Sequence, residues 1–163
     1  MTTNRQIVIS SIPEGQLEES HFRMTESAVP EIADGQILIT TRLLSIDAAN
    51  RAWMQGSTYR SVLSDGLVMA GLAISEVIAS RASGFAPGDI VFAESGWQDY
   101  AAIDAAAAQL VEPVEPMSHL LSLYGTSALT AYFGLTDVAS LQAGETLVVS
   151  AAGGSVGTVA GQI

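Results

Sequence analysis

Residues 144–163 constrain the fold of this chain more than any other stretch, because a short apolar run is followed there by closely spaced glycines. Thr146–Ser150 is apolar and β-branched, which predicts a buried strand. An A-x-G-x-x-G pattern occupies 152–157, and the small apolar residues of 158–163 favour a helix packed on a sheet. Strand, glycine turn and helix in this order are typical of dinucleotide-binding folds.

The spacing of the glycines predicts a site for the pyrophosphate of a dinucleotide. Without a Cβ at Gly154 the backbone can approach the phosphates, and Gly157 allows the helix to pack closely. The start of the helix then offers free N–H groups to an anion. The predicted cofactor-binding residues of this turn are Ala152, Gly154, Ser155, Val156, Gly157 and Thr158. Ala152 stands where the usual fingerprint has glycine, and an ordinary glycine-rich turn is the alternative.

The sequence reaches only one or two turns into this helix before Ile163. A dinucleotide fold needs two βαβαβ halves, and the residue that recognises the ribose follows about 20 positions later. We therefore expect these residues to be part of a longer protein and to be inactive alone, without tight cofactor binding. A complete domain of 163 residues that ends on a helix is the alternative.

Charge and cysteine content narrow the function classes. The net charge of −11 argues against nucleic acids and anionic membrane surfaces as partners. No run of about 18 apolar residues predicts a membrane span. The chain has no Cys, which removes thiolate nucleophiles and cysteine-ligated zinc. We expect a cytoplasmic protein.

Short predicted strands separated by turns every ~10 residues fill the first two thirds of the chain and indicate a small β-barrel. The clearest strand is 36–45, and Asp47 is the predicted N-cap of a short helix. The prolines of 112–116 predict a boundary between a barrel at 1–112 and linker helices with the start of a dinucleotide-binding domain at 113–163.

A helix is predicted at 127–135. Thr126 is a candidate for its N-cap, and Leu129, Tyr132 and Phe133 form the predicted apolar face. Tyr132 and Phe133 are interpreted as core residues rather than as pocket residues.

Five stretches carry a resemblance to a known family. LSIDAANRAWM at 44–54 resembles the LSVDPxMRGxM segment of zinc-independent medium-chain dehydrogenases/reductases. GFAPGDIV at 84–91, GWQDYA at 96–101, LTAYFGL at 129–135 and the end of the chain at 151–163 resemble further motifs of that family. The branch in question contains prostaglandin reductases, leukotriene hydroxydehydrogenases and alkenal double-bond reductases.

The resemblance implies a mostly β, GroES-like barrel followed by the first β-α unit of a truncated Rossmann domain. It implies hydride transfer from NADPH to the β-carbon of an α,β-unsaturated ketone or aldehyde, with a homodimer as a possible assembly of the full-length form. The preference for NADP over NAD rests on the resemblance alone. Alternatives are a quinone reductase of the same superfamily and a non-catalytic barrel remnant that serves as a binding module.

The resemblance also assigns residues outside the glycine turn. Tyr59 would donate a hydrogen bond to the substrate carbonyl, with an exposed loop tyrosine as the alternative. Thr130 would lie near the nicotinamide, with helix packing as the alternative. Asp47 would orient the nicotinamide, although an N-cap role alone explains it and is favoured. No metal site is expected, because 70–72, where zinc-dependent relatives carry ligands, reads Ala-Gly-Leu.

Overall fold

A computed structural model describes residues 2–56 and 63–163. The chain divides into two compact units, Met1–Glu112 and Pro113–Ile163. Within the described ranges, no helix has the length and apolar character that crossing a membrane requires.

The first unit consists mainly of antiparallel strands. They are β1 (Thr3–Ile9), β2 (Phe22–Ala28), β3 (Gln36–Leu44), β4 (Leu72–Ser80), β5 (Ile90–Glu94), β6 (Tyr100–Asp104) and β7 (Gln109–Leu110). β1 pairs with β2, and the other five form a second sheet in the order β6-β3-β4-β5-β7. Helix α1 (Ala48–Gln55) follows β3, and single 3₁₀ turns lie at Glu19–His21 and Ala105–Ala107. The predicted mostly β fold is confirmed.

Backbone hydrogen bonds from β1 connect the two sheets. The Ile7 N–H donates to the Trp97 carbonyl at 2.8 Å, and the Ile7 carbonyl accepts from the Met69 N–H at 2.8 Å. The Asp99 N–H donates to the Arg5 carbonyl at 3.0 Å. β1 therefore lies between two irregular segments that extend the second sheet, and the sheets curve towards a barrel.

The core of the first unit follows from side-chain alternation. Ile37 and Ile39 on β3 are fully buried, as a strand with one face inward requires. They pack with Val77, Val91, Ala93 and Ala101. A second cluster joins α1 to the β1 region through Ile9, Trp53, Met54, Leu63, Met69 and Ala70, with Trp97 packed against it.

The second unit is helical. It contains a 3₁₀ turn at Met117–Leu120, α2 (Thr126–Phe133), a π-helical segment at Gly134–Val138 and α3 (Ser155–Ala160). Its core is formed by Ala131, Leu135, Val159 and Ala160. The N-cap of α2 is Gly125 rather than Thr126, so the predicted cap was one residue late. Gly125 is suited to this position because a Cβ there would lie 2.5 Å from the Leu121 carbonyl oxygen.

The buried strand predicted at 146–150 is not formed. These residues belong to no strand of the described sheets, and Val148 is 88% exposed. A strand needs a neighbouring strand to satisfy its N–H and C=O groups, and no described residues pair with this segment.

The predicted apolar face of α2 is also wrong. Leu129, Tyr132 and Phe133 are 54%, 52% and 49% exposed, so Tyr132 and Phe133 are not core residues. The helix instead buries Ala131, which packs with α3 residues. The small side chain of Ala131 lets α2 and α3 approach closely, and the bulky residues are not part of this core cluster.

Candidate functional site

The glycine turn leads directly into α3. Gly154 is the N-cap of the helix, and its N–H donates to the Ala151 carbonyl at 2.8 Å. Ala151 has a left-handed backbone, with φ of 51°, which reverses the chain before the helix begins. Gly154 itself has φ −79° and ψ 173°, values that any residue can adopt. Its glycine character therefore matters for space and not for backbone conformation.

Gly157 is the position where a side chain is least tolerated. A Cβ there would lie 2.5 Å from the Ala151 carbonyl oxygen and 2.8 Å from the Ala152 Cα. The close approach that the sequence predicted for this glycine exists, but the helix meets the turn and not a strand. The first turn of α3 is thus held against residues 151–152 by backbone contact.

The start of α3 presents unbonded amides. In any α-helix the first N–H groups have no acceptor within the helix. In α3 the ladder begins with the Thr158 N–H, which donates to the Gly154 carbonyl at 2.8 Å. Ser155 and Val156 are exposed. No acidic or basic residue occurs in 150–158, so the polar groups of this turn are its backbone and the hydroxyls of Ser150, Ser155 and Thr158.

The two threonines assigned to the cofactor use their hydroxyl protons within their own helices. Thr158 Oγ1 donates to the Gly154 carbonyl at 2.7 Å. Thr130 Oγ1, on α2, donates to the Thr126 carbonyl at 2.7 Å. Both residues are exposed, and each hydroxyl keeps lone pairs that can accept a hydrogen bond.

Asp47 is the N-cap of α1, as predicted. Its Oδ1 accepts from the Ala49 N–H at 2.7 Å, and Asn50 Oδ1 accepts from the Asp47 N–H at 2.8 Å, which completes a capping box. The cap interpretation is confirmed.

Asn50 has a structural role that the sequence did not predict. It is 6% exposed, and its Nδ2 donates to the Ala70 carbonyl at 3.0 Å. The amide therefore connects the start of α1 to the segment before β4. The available signal was a polar residue on the buried side of a short amphipathic helix.

The predicted site residues are divided between the two units. Ala152, Gly154, Ser155, Val156, Gly157 and Thr158 lie together at one end of α3, and Thr130 lies in the same unit on α2. Asp47 belongs to the first unit. Tyr59 falls outside the described residues.

Among residues 2–56 and 63–163, no three His, Cys, Asp or Glu side chains are grouped so that they could hold a metal ion. His21 takes part in a local turn, where its Nδ1 accepts from the Glu18 N–H at 2.9 Å.

A barrel-like β unit is thus followed along the chain by a glycine turn that opens a helix. Residues 5–111 match the family described as the N-terminal domain of oxidoreductase, and the chain belongs to that family. The similarities that follow confirm the resemblance to zinc-independent medium-chain reductases, of which the chain corresponds to the N-terminal half.

Among curated proteins, the chain is 38% identical over 165 residues to the NADPH-dependent curcumin reductase of Escherichia coli, covering 98% of this chain and 47% of that one. It is 35% identical over 155 residues to prostaglandin reductase 1 of Rattus norvegicus, covering 92% of this chain and 45% of that one. The chain therefore spans about half the length of the curated relatives it matches.

Among solved structures, the chain is similar to CurA from Vibrio vulnificus in complex with NADPH. The TM-score is 0.88 at 37% identity, and the alignment covers 97% of this chain and 48% of that one.

Proposed function

We propose that the full protein to which these residues belong is an NADP-dependent oxidoreductase that reduces the C=C bond of α,β-unsaturated ketones or aldehydes. Its similarity to curcumin and prostaglandin reductases supports this proposal. The structural observation that carries it is the turn at 152–158, where unbonded amides open a helix that Gly157 holds against the backbone.

The turn fits a pyrophosphate in its donor chemistry. The amides of Ser155, Val156 and Gly157 precede the helical ladder, and the partial positive charge of a helix start favours an anion. A Cβ at Gly154 would lie 3.2 Å from the Ala151 carbonyl oxygen. Because glycine has no side chain, the backbone of the turn stays accessible to a ligand. Since 150–158 carries no charged side chain, nothing in the turn repels a phosphate.

NADPH, when bound, supplies the hydride of the reaction. The remaining roles belong to side chains of this chain. We propose that Thr130 accepts a hydrogen bond from the nicotinamide amide through its free lone pairs, since its proton is used by Thr126. Asp47 keeps the start of α1 in place, and Tyr59 donates to the substrate carbonyl as negative charge develops on that oxygen.

A substitution at the start of α3 tests the binding role separately from folding. Ser155→Asp places a carboxylate at the first helical position, where it favours the helix but repels phosphates. Ser127→Asp makes the same change in the first turn of α2 and is the matched control. In the protein expressed from its full reading frame, we expect Ser155→Asp to raise the Kd for NADPH by about tenfold or more, while Ser127→Asp leaves it unchanged.

The substrate class is tested by following NADPH oxidation with an enone, a 2-alkenal and a quinone. We expect turnover of the enone and the alkenal. Faster turnover of the quinone would favour the quinone-reductase alternative, and NADPH binding without turnover of any of the three would contradict the proposed reaction. Failure to bind NADPH at all would favour a binding module.

A further inference from the structure

A pocket of about 250 Å³ lies in the first unit, and its described lining includes none of the residues assigned to the cofactor or the substrate. Its apolar walls are formed by Ile7 on β1, Met24 on β2, Leu44 on β3 and Trp97. An apolar cavity of about 150 Å³ is large enough to bind benzene, so this pocket has room for a compact bicyclic ring system.

One wall of the pocket is a fixed aromatic ring. Trp97 stacks on Phe22 with ring centroids 5.6 Å apart and an interplanar angle of 24°. The edge of its indole lies against Gly71, where a Cβ would be 2.7 Å from Trp97 Cδ1. A ring held in this way offers apolar contact at little cost in entropy. Met24, by contrast, is a flexible part of the lining. It is 63% exposed, and its unbranched side chain can adjust to a ligand.

The charged residues of the pocket compensate each other. Arg5 Nε and Nη2 donate to Asp99 Oδ2 and Oδ1 at 2.7 and 3.1 Å. This bidentate hydrogen bond lowers the pKa of the Asp99 carboxyl and raises the pKa of the Arg5 guanidinium, so both groups stay ionised near neutral pH. The pair therefore carries no net charge, while the Arg5 N–H groups that do not face Asp99 can still donate to a ligand.

Both donors and acceptors remain available among the polar groups of the pocket, since Arg5, Gln6 and Gln98 each have more N–H groups than hydrogen bonds. Gln98 makes three hydrogen bonds: its Oε1 accepts from Gln6 Nε2 at 2.7 Å and from Asn4 Nδ2 at 3.1 Å, and its Nε2 donates to the Ser95 carbonyl at 2.7 Å. Thr41 Oγ1 donates to Ser95 Oγ at 3.2 Å. Within the described residues, Gln6 Oε1 accepts no hydrogen bond and Thr41 Oγ1 keeps its lone pairs.

We propose that this pocket binds a small, uncharged aromatic alcohol, with the ring against Trp97 and the hydroxyl donating to Gln6 or Thr41. The apolar walls accommodate the ring, and the Arg5–Asp99 pair carries no net charge. The remaining donors and acceptors suit a hydroxyl, because a hydroxyl can both donate and accept a hydrogen bond. Because the pocket lies wholly in the first unit, this proposal stands or fails independently of the proposed reductase activity.

The ligand chemistry is tested by titrating the nitrogen-15-labelled 163-residue chain with naphthol. We expect saturable shifts of the Ile7, Thr41 and Gln98 amide signals and none in α3. Methoxynaphthalene, which lacks the donor, and naphthoate, which is charged, should bind about tenfold more weakly. Shifts that do not saturate, or equal binding of methoxynaphthalene, would overturn the proposal.

The location is tested at Met24, whose exposure lets it be changed without disturbing the core. Met24→Glu and Met24→Lys should each weaken naphthol binding about tenfold, because both place a charge on the apolar wall. Leu110→Glu is the matched control, since Leu110 is 49% exposed in the same unit but does not line the pocket. Unchanged naphthol binding in both Met24 variants, or an equal loss of binding in the Leu110→Glu control, would show that naphthol does not bind in this pocket.

Discussion

Asp47 shows how one carboxylate determines where a helix begins. Its Oδ1 accepts from the Ala49 N–H, while the Asp47 N–H donates to Asn50 Oδ1, so each of the two side chains accepts from a backbone amide at the start of α1. The helix in turn carries Trp53 and Met54 into the core.

Removing this cap is expected to destabilise the first unit. Asp47→Ala should lower the free energy of unfolding by about 1 kcal/mol, because an amide of the first turn loses its acceptor. Urea denaturation followed by tryptophan fluorescence measures the change, since Trp53 lies on the same helix. Asp47→Ser keeps an acceptor and should lower the free energy of unfolding by only a few tenths of a kcal/mol. Equal losses in both variants would contradict the capping role.

Gly157 and Gly153 form a matched pair for testing the glycine turn. Gly157→Ala should destabilise the turn by about 1–3 kcal/mol, because the new Cβ would lie 2.5 Å from the Ala151 oxygen. Gly153→Ala should have little effect, since nothing lies within 4 Å of a Cβ at that position. Hydrogen exchange at the α3 amides measures the difference. Similar protection in the two variants would show that the helix can move away from the turn.

The Arg5–Asp99 pair predicts a dependence of stability on pH. The pKa of Asp99 is lowered in the folded state, so its stabilising contribution is present above the unfolded pKa of about 3.9 and is lost as the pH falls through the lower folded pKa. Wild type should therefore exceed Asp99→Asn in the free energy of unfolding near neutral pH, and the gap should close below about pH 4.

The expected difference in the free energy of unfolding between wild type and Asp99→Asn is small, because the ion pair is partly exposed to solvent. Urea denaturation at several pH values measures it. Asp34→Asn, at a position without an ion pair among the described residues, is the control. A gap that stays constant through the acidic range would contradict the assignment.

At the scale of elements, α2 shows that apolar composition does not decide which face of a helix is buried. Its bulky residues Leu129, Tyr132 and Phe133 are about half exposed, whereas the small Ala131 is buried. The choice follows from the partner, because α3 approaches on the alanine side through Val159 and Ala160.

The exposed face of α2 should bind an apolar dye. Replacing Leu129, Tyr132 and Phe133 by Gln should reduce the fluorescence of bound anilinonaphthalene sulfonate. The free energy of unfolding should change by less than about 0.5 kcal/mol, because the three side chains bury little surface. Leu110→Gln, at a similarly exposed position of the first unit, controls for the loss of a single apolar side chain. Unchanged dye fluorescence would show that this face is covered in solution.

At the scale of the whole molecule, we propose that residues 1–112 fold independently of 113–163. The first unit contains two core clusters of its own, and hydrogen bonds from β1 join its sheets. Residues 1–112 expressed alone should keep the hydrogen-exchange protection that β3 and β4 amides have in the 163-residue chain. Loss of that protection would show that the second unit is needed for folding.

The sequence by itself determined the features that depend on neighbours within a few positions. The alternation at 36–45 specifies a strand with one buried face, Asp47 caps its own helix, and the glycines of 152–157 place the start of α3. The family motifs could also be recognised in the sequence, because each is a short run of residues.

Only the tertiary structure decided the features that depend on distant neighbours. Residues 146–150 have strand-forming side chains but no described strand to pair with, and α2 turns its alanine face towards α3. The pocket beside Trp97 exists because β1, β2 and β3 meet the segment before β6. Local hydrogen bonds and turns are encoded by adjacent residues, whereas burial and strand pairing require partners that the chain brings together only when it folds.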